Sequence, residues 1–246
     1  MSSITLYWSS ISPYACRPSI YLYEKGIEFK SNILDFTKQE QKSEEFLKIN
    51  PRGKVPVLLD EEDGQPITIS ESAAIMTYLE DKFGPLGPSI SSSPRLRAKV
   101  LTRAFEIENY LLPMAYGLYT AWFGLTEQEK VDLSGQNEKV KAADAAYDNV
   151  IEELQKYDEL LKDQALYLVG SEFSLADVML LPLLLMLEHI KLGLKAEPRL
   201  VNLVEYIEVN KKRPSIRQGV PGVWNGDVTR FDFSPFVEAH NKRKSN

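Results

Sequence analysis

Short β-type apolar runs alternate with helical stretches over roughly the first 84 residues, and from Arg95 onward the pattern is helical throughout. Ile4 to Trp8 reads as a strand. After a turn, Pro13 opens a helix that stops near Lys25-Gly26, where glycine suits the C-terminal cap. Ile27 to Leu34 reads as a second strand, and Gln41 to Ile49 as a helix closed by Asn50-Pro51. Val55 to Asp60 and Pro66 to Ile69 are strands joined by Glu61-Glu62-Asp63-Gly64, a hairpin pattern. Ser70 is the expected cap of a third helix ending near Lys82. The order βαβ-α-ββα suits a small α/β domain of thioredoxin-like layout, with helices on both faces of a four-stranded sheet.

Residues 85–94 form a linker rich in Pro, Gly and Ser, which divides the chain into an α/β domain over 1–84 and an all-helical domain over 95–246. Within the latter, Thr126-Glu-Gln-Glu129 and Ser174-Leu-Ala-Asp177 resemble helix-starting boxes, the second with Asp in place of Glu or Gln. Phe173 and Val178 sit where a hydrophobic staple would place them, which marks Ser174 as a helix start. The stretch from Pro214 carries Trp224, Phe231, Phe233 and Phe236, too aromatic for a solvated tail, and is expected to pack back over the protein. The final Asn-Lys-Arg-Lys-Ser-Asn is expected to fray.

Composition narrows the function classes. Hydrophobic residues at 43% are enough for a packed core, and a net charge of −6 argues against a general nucleic-acid binder. Cys16 is the only thiol, which excludes an internal disulfide framework and fits a reducing compartment. With His189 and His240 as the only imidazoles, a Cys/His zinc site is disfavoured. The most apolar stretch, Leu175 to Leu187, is interrupted by Asp177 and Pro182 and reads as a buried helix rather than a membrane span. The amino terminus has no basic start followed by an apolar run, and no secretory signal is read there.

The chemistry lies in three turns of the first domain. In Ser12-Pro13-Tyr14, Ser12 is an N-cap with proline at N1; its hydroxyl either satisfies a helix amide or, at the positive end of a helix, donates to a bound anion. In Asn50-Pro-Arg-Gly-Lys-Val-Pro-Val-Leu58, Pro56 marks either a plain edge strand or a cis Val55-Pro56 bond. The cis form would turn the Val55 backbone outward to pair with an extended ligand. In Ser70-Glu71-Ser72, Glu71 complements a helix dipole, and the Ser72 hydroxyl and amide make a carboxylate site.

Together with Lys42-Ser43 and the Phe173-Ser174-Leu175-Ala176-Asp177 box, these motifs resemble, in order and spacing over most of the chain, the cytosolic glutathione transferases of serine type. The resemblance implies a thioredoxin-like glutathione-binding domain followed by a helical bundle that supplies the acceptor-substrate pocket. It also implies a cytoplasmic homodimer acting in detoxification on glutathione and a small hydrophobic electrophile, without metal, nucleic acid or membrane. Ser12 matches the residue that activates the sulfur. Val55, before Pro56, matches the residue pairing with the tripeptide's cysteine backbone. Glu71 and Ser72 match the grip on the γ-glutamyl ammonium and carboxylate, and Lys42 and Lys54 the basic positions near the glycine carboxylate; Arg52 matches no specific role.

Ser10, in the same turn, is an alternative donor to Ser12. Cys16 is another: four residues on, in the first helical turn where a thiol pKa falls, it would make the protein a thiol-transferase or reductase. The bland reading of Cys16 is a small buried hydrophobe. A non-catalytic carrier or regulatory protein of the same fold is a third reading, opposed by the joint presence of Ser12, Glu71 and Ser72. Tyr14, Tyr110, Met114 and Tyr116 are the expected acceptor-pocket lining, with Trp224 as a lid.

Overall fold

The computed structural model describes residues 3–9, 12–87, 93–131, 137–163, 166–220 and 232–245. The first unit contains β1 (Ile4–Trp8), α1 (Pro13–Glu24), β2 (Lys30–Ile33), α2 (Glu44–Ile49), β3 (Val57–Asp60), β4 (Ile67–Ser70) and α3 (Ser72–Phe83). The sheet order is β2-β1-β3-β4; β1 runs parallel to β2 and antiparallel to β3, which is antiparallel to β4. Leu6 and Leu58 are buried on one face, where α1 packs against α3 and β1. Tyr7 points the other way and meets Phe46 of α2 with ring centroids 5.8 Å apart, so helices cover both faces.

Several boundaries differ from the pattern reading. The second strand is only Lys30–Ile33, because Gly26, at φ +65°, reverses the chain and the Ile27 amide bonds back to Leu22. The expected helix from Gln41 is split: Glu40–Lys42 is a 3₁₀ turn, and Ser43 caps α2 by accepting from the Phe46 amide at 3.2 Å. Strand β3 starts at Val57, after the Val55-Pro56 bond, which is cis. Ser70 does not cap α3; it pairs with Val57 as the last residue of β4, and Glu71 takes the cap position at φ +71°.

The helical unit runs through α4 (Pro94–Glu106), a π-helical turn (Ile107–Leu111), α5 (Leu112–Phe123), α6 (Glu127–Val131), α7 (Glu138–Lys162), α8 (Leu175–His189), α9 (Val201–Asn210), α10 (Pro214–Gly219) and α11 (Ser234–Lys244). Pro94, counted with the linker above, is the first residue of α4, capped by Ser93. Thr126 and Glu129 form their expected reciprocal box at 3.2 and 2.8 Å. Helix α8 is buried continuously from Leu175 to Leu184 and packs against α1, α4 and α9, which explains its apolar run. Among the described residues no helix is long and apolar enough to cross a membrane.

The carboxyl-terminal stretch packs back in two places. Helix α10 lies on α1 so closely that a Cβ on Gly219 would fall 2.8 Å from the Ile20 amide nitrogen. Arg213 and Ser215 both bond Glu24 of α1. Farther on, Phe233 and Phe236 are buried against Trp122, at centroid distances of 5.6 and 5.2 Å. The final basic run does not fray at once: α11 continues to Lys244, because His240, Arg243 and Lys244 pair with Asp144 and Asp148 of α7. Trp224 and Phe231 lie outside the described residues.

Candidate functional site

Strand register brings the three turns together. Tyr7 pairs with Val57 and Val57 with Ser70, so the end of β1, the start of β3 and the end of β4 share one edge of the sheet. That edge therefore presents Ser12, Val55-Pro56 and Glu71-Ser72 side by side. Three adjacent strand ends at ~4.8 Å spacing span about 10 Å, the length of an extended tripeptide at ~3.3 Å per residue.

Ser12 is the N-cap of α1, half-buried, its oxygen accepting from the Ala15 amide at a long 3.4 Å. An amide can only donate, so the Ser12 proton stays uncommitted to that bond. Pro13 follows at the first helical position, and no acidic side chain occupies the first turn, leaving the positive end of the helix dipole uncompensated there. Ser9, in the same turn, is buried, and Ser10 lies outside the described residues.

Cys16 does not have the character expected of a first-turn thiol. It faces the core at 0% exposure, and burial pushes its pKa well up, with Arg17 opposing only in part. Desolvation of the thiolate outweighs the helix end because Cys16 sits past the exposed amides, among packed side chains.

The middle of the edge is organised by Asn50, which is buried, donates to the Lys54 carbonyl at 2.8 Å and accepts from the Arg52 amide at 3.1 Å. Gly53 takes φ +59°, and a Cβ there would lie 2.8 Å from both the Gln41 carbonyl and the Lys42 ammonium. Glycine thus lets the Lys42 turn close onto the loop carrying Lys54, and both lysines are exposed. No hydrogen bond reaches the Val55 amide or carbonyl among the described residues.

At the far end of the edge, Glu71 is exposed and its backbone is held at φ +71°, ψ 120°, a region costing a non-glycine residue roughly 1–3 kcal/mol. Ser72 opens α3 and is buried, with no acidic residue in that helix's first turn. Its hydroxyl oxygen accepts from Arg17 at 3.0 Å. Arg17 was not anticipated from sequence, yet it is the largest fully buried side chain among the described residues. It also donates to Glu108 at 2.6 Å and to the Met179 carbonyl at 3.3 Å. Burial pulls its pKa down and Glu108 opposes that shift. An arginine inside a helix stretch otherwise uncharged from Pro13 to Leu22 is the sequence feature from which such a partner could have been inferred.

Tyr14 covers this arginine, with the guanidinium 5.0 Å from its ring centroid. Burial chiefly, then Glu108, raises the phenol's pKa; Glu71 and Tyr116 add to the effect and Arg17 opposes it. Glu71, Glu108 and Tyr116 are therefore electrostatic neighbours of Tyr14, and Tyr116 is 67% exposed. Tyr110 and Met114, four residues apart on one helix face, line a groove of about 260 Å³ with Arg103, Glu106, Glu153 and Tyr157; Tyr116, six residues beyond Tyr110, is turned ~240° from it. Trp224 lies outside the described residues, and no cluster of metal-ligand residues occurs among those described.

Residues 11–82 match the family model "Glutathione S-transferase, N-terminal domain" and residues 113–209 match "Glutathione S-transferase, C-terminal domain". The chain is 34% identical to glutathione S-transferase A of Pleuronectes platessa over 224 residues, covering 90% of this chain and 92% of that protein. A glutathione S-transferase from the Antarctic clam Laternula elliptica superposes with a TM-score of 0.74 at 29% identity, covering 97% of this chain and 100% of that one. A Pseudomonas putida glutathione transferase, crystallised with one glutathione disulfide per subunit, shares the fold at a TM-score of 0.74 and 23% identity, covering 89% and 91%.

Proposed function

The chain belongs to the glutathione S-transferase family and is a glutathione transferase, and from that premise we propose that Ser12 activates the sulfur of glutathione for attack on a small apolar electrophile. What carries the reading is the uncommitted Ser12 proton at the uncompensated start of α1, on the same sheet edge as the Val55 backbone and the Glu71-Ser72 turn. The glutathione-binding unit is residues 1–84, and the helical unit over 95–246 supplies the acceptor pocket.

An extended tripeptide on this edge pairs its cysteine backbone with Val55. Its γ-glutamyl ammonium faces Glu71 and its α-carboxylate meets the Ser72 hydroxyl and amide at the α3 start. Its glycine carboxylate is drawn to Lys42 and Lys54. The strained backbone of Glu71 supports a functional demand at that turn.

The sulfur then lies by Ser12. A thiol with a pKa of ~8.5 is only a few per cent ionised at neutral pH, and lowering it by ~2 units takes about 2.7 kcal/mol of differential stabilisation. One hydrogen bond to a charged sulfur together with the dipole of α1 is of that size. Ser12 donates throughout and never acts as nucleophile; the thiol loses its proton to water, the sulfur forms the bond to the electrophilic carbon, and the leaving group departs with the electron pair of the bond broken. Tyr14 and Tyr116 flank the side from which the electrophile approaches. On this reading the protein is cytoplasmic, as its family resemblance implies, and a homodimer, for which the exposed Phe105 beside Ala73 and Thr77 of α3 offers an apolar contact. Light scattering of the purified protein checks the dimer.

The assignment is tested by Ser12→Ala with an aromatic electrophile. The expected result is loss of conjugation with glutathione binding nearly intact; undiminished turnover refutes Ser12 as the activating group.

A further inference from the structure

We infer that Glu108, on the helical unit, is a positioning residue for the γ-glutamyl carboxylate, acting through Arg17 and Ser72. This rests on the reading of Ser72 as the carboxylate contact. Ser72 Oγ accepts from Arg17 Nη1 at 3.0 Å, and a guanidinium has no acceptor to offer in return. The hydroxyl proton of Ser72 is thereby directed away from Arg17 and is available to a ligand oxygen.

Arg17 cannot aim that proton alone. Its side chain is fully buried, its Nε has no partner, and its Nη2 reaches only the Met179 carbonyl at 3.3 Å. Among the described residues the one charge that neutralises it is Glu108, at 2.6 Å and 26% exposed. Glu108 reaches Arg17 from the π-helical turn Ile107–Leu111, a single-turn widening of the helix of the kind that recurs at functional sites. The chain Glu108–Arg17–Ser72 therefore runs from the helical unit to the end of the sheet edge. It makes the grip on the ligand's carboxylate depend on a residue 91 positions away from Arg17 in sequence. Remove the Glu108 charge and the buried guanidinium turns toward other acceptors, leaving the Ser72 proton unaimed.

The test uses full-length protein with glutathione and two analogues, one lacking the α-carboxylate (γ-aminobutyryl-Cys-Gly) and one lacking the α-amino group (glutaryl-Cys-Gly). Glu108→Gln should raise KM for glutathione about tenfold with kcat changed by less than about twofold, the scale of one charge-assisted hydrogen bond. The same penalty should persist with the glutaryl analogue and vanish with the carboxylate-free one. In a Ser72→Ala background, Glu108→Gln should add nothing. Glu108→Asp retains the neutralising charge, so it keeps the inference testable should the Gln variant fold poorly; it should restore most of the glutathione KM. An equal penalty on the carboxylate-free analogue overturns the inference, as does a penalty that vanishes only with the glutaryl analogue, which would make Glu108 a direct contact of the ammonium. If the unaltered protein itself fails to discriminate against the carboxylate-free analogue, the Ser72 reading falls instead.

Discussion

Of the helices that begin with a serine at the N-cap, α1 and α8 use it in opposite ways. At α8, Ser174 is fully buried and its hydroxyl donates to Asp177 at 2.8 Å, while Asp177 also accepts from the Ser174 and Leu168 amides and from the Tyr206 phenol. The acid fills the first turn, and each polar group is matched. At α1, Ser12 is half-exposed, its one accepted bond is long, and the first turn carries no acid. The same residue type at the same helical position is a closed structural cap in one place and, on the function proposed above, an open anion site in the other. The difference lies in the residue three positions on: Asp177 in one helix, Ala15 in the other. A helix end that leaves its dipole unanswered stands ready for an anion from outside the chain.

The largest break in this comparison is expected from Asp177→Ala. It strips the acceptor from two backbone amides, a serine and a tyrosine in the core, and should cost about 3–5 kcal/mol, read as a collapse of the urea midpoint. Ser12→Ala comes next and acts on rate: kcat/KM should fall about 100-fold, near 2.7 kcal/mol, as for loss of one preorganised donor. Glutathione affinity should stay within about threefold. The pH at which kcat/KM levels off should rise from ~6.5 part of the way toward ~8.5, because the donor is lost while the dipole of α1 remains. Ser174→Ala should do the converse, lowering Tm by roughly 2–4 °C, as expected for about 1 kcal/mol in a chain of this size, with turnover per folded molecule unaltered. If the two serine variants produce the same pattern of loss, the contrast between the caps is wrong.

How much of this was legible in the sequence varies from one part of the site to another. Ser12-Pro13, Val55-Pro56 and Glu71-Ser72 are local: each couples a turn to the start of a helix or strand within a few residues, and the structure sets them on one edge. The cap of α3 was misplaced by one residue because Glu71 adopts a backbone conformation that propensity disfavours, which put the expected cap on Ser70. The Arg17–Glu108 pair joins residues 91 positions apart, and no local pattern specifies such a partner. The separation of Tyr110 and Met114 from Tyr116 depends on which face of a helix meets α7. The π-helical turn at Ile107–Leu111 shifts that face relative to the regular period.

The smallest expected effect sharpens the comparison within α1 itself. Ser12 and Cys16 are one helical turn apart, yet one stands at the opening and the other at 0% exposure in the core. A thiolate there would have no water, and burial drives the Cys16 pKa up in spite of the Arg17 charge, so the thiol stays protonated across the physiological range. Cys16→Ala should therefore change kcat/KM by less than about twofold while costing about 1 kcal/mol of stability through lost packing. Incubation of the native protein with glutathione disulfide should leave its intact mass unchanged. An adduct on Cys16, or a Cys16→Ala variant that loses turnover while Ser12→Ala keeps it, would move the chemistry from the open cap into the core and make the protein a thiol-exchange enzyme. Every group that would have to lower the Cys16 pKa is outweighed by the desolvation of that position, and on that balance the sulfur that reacts belongs to the ligand.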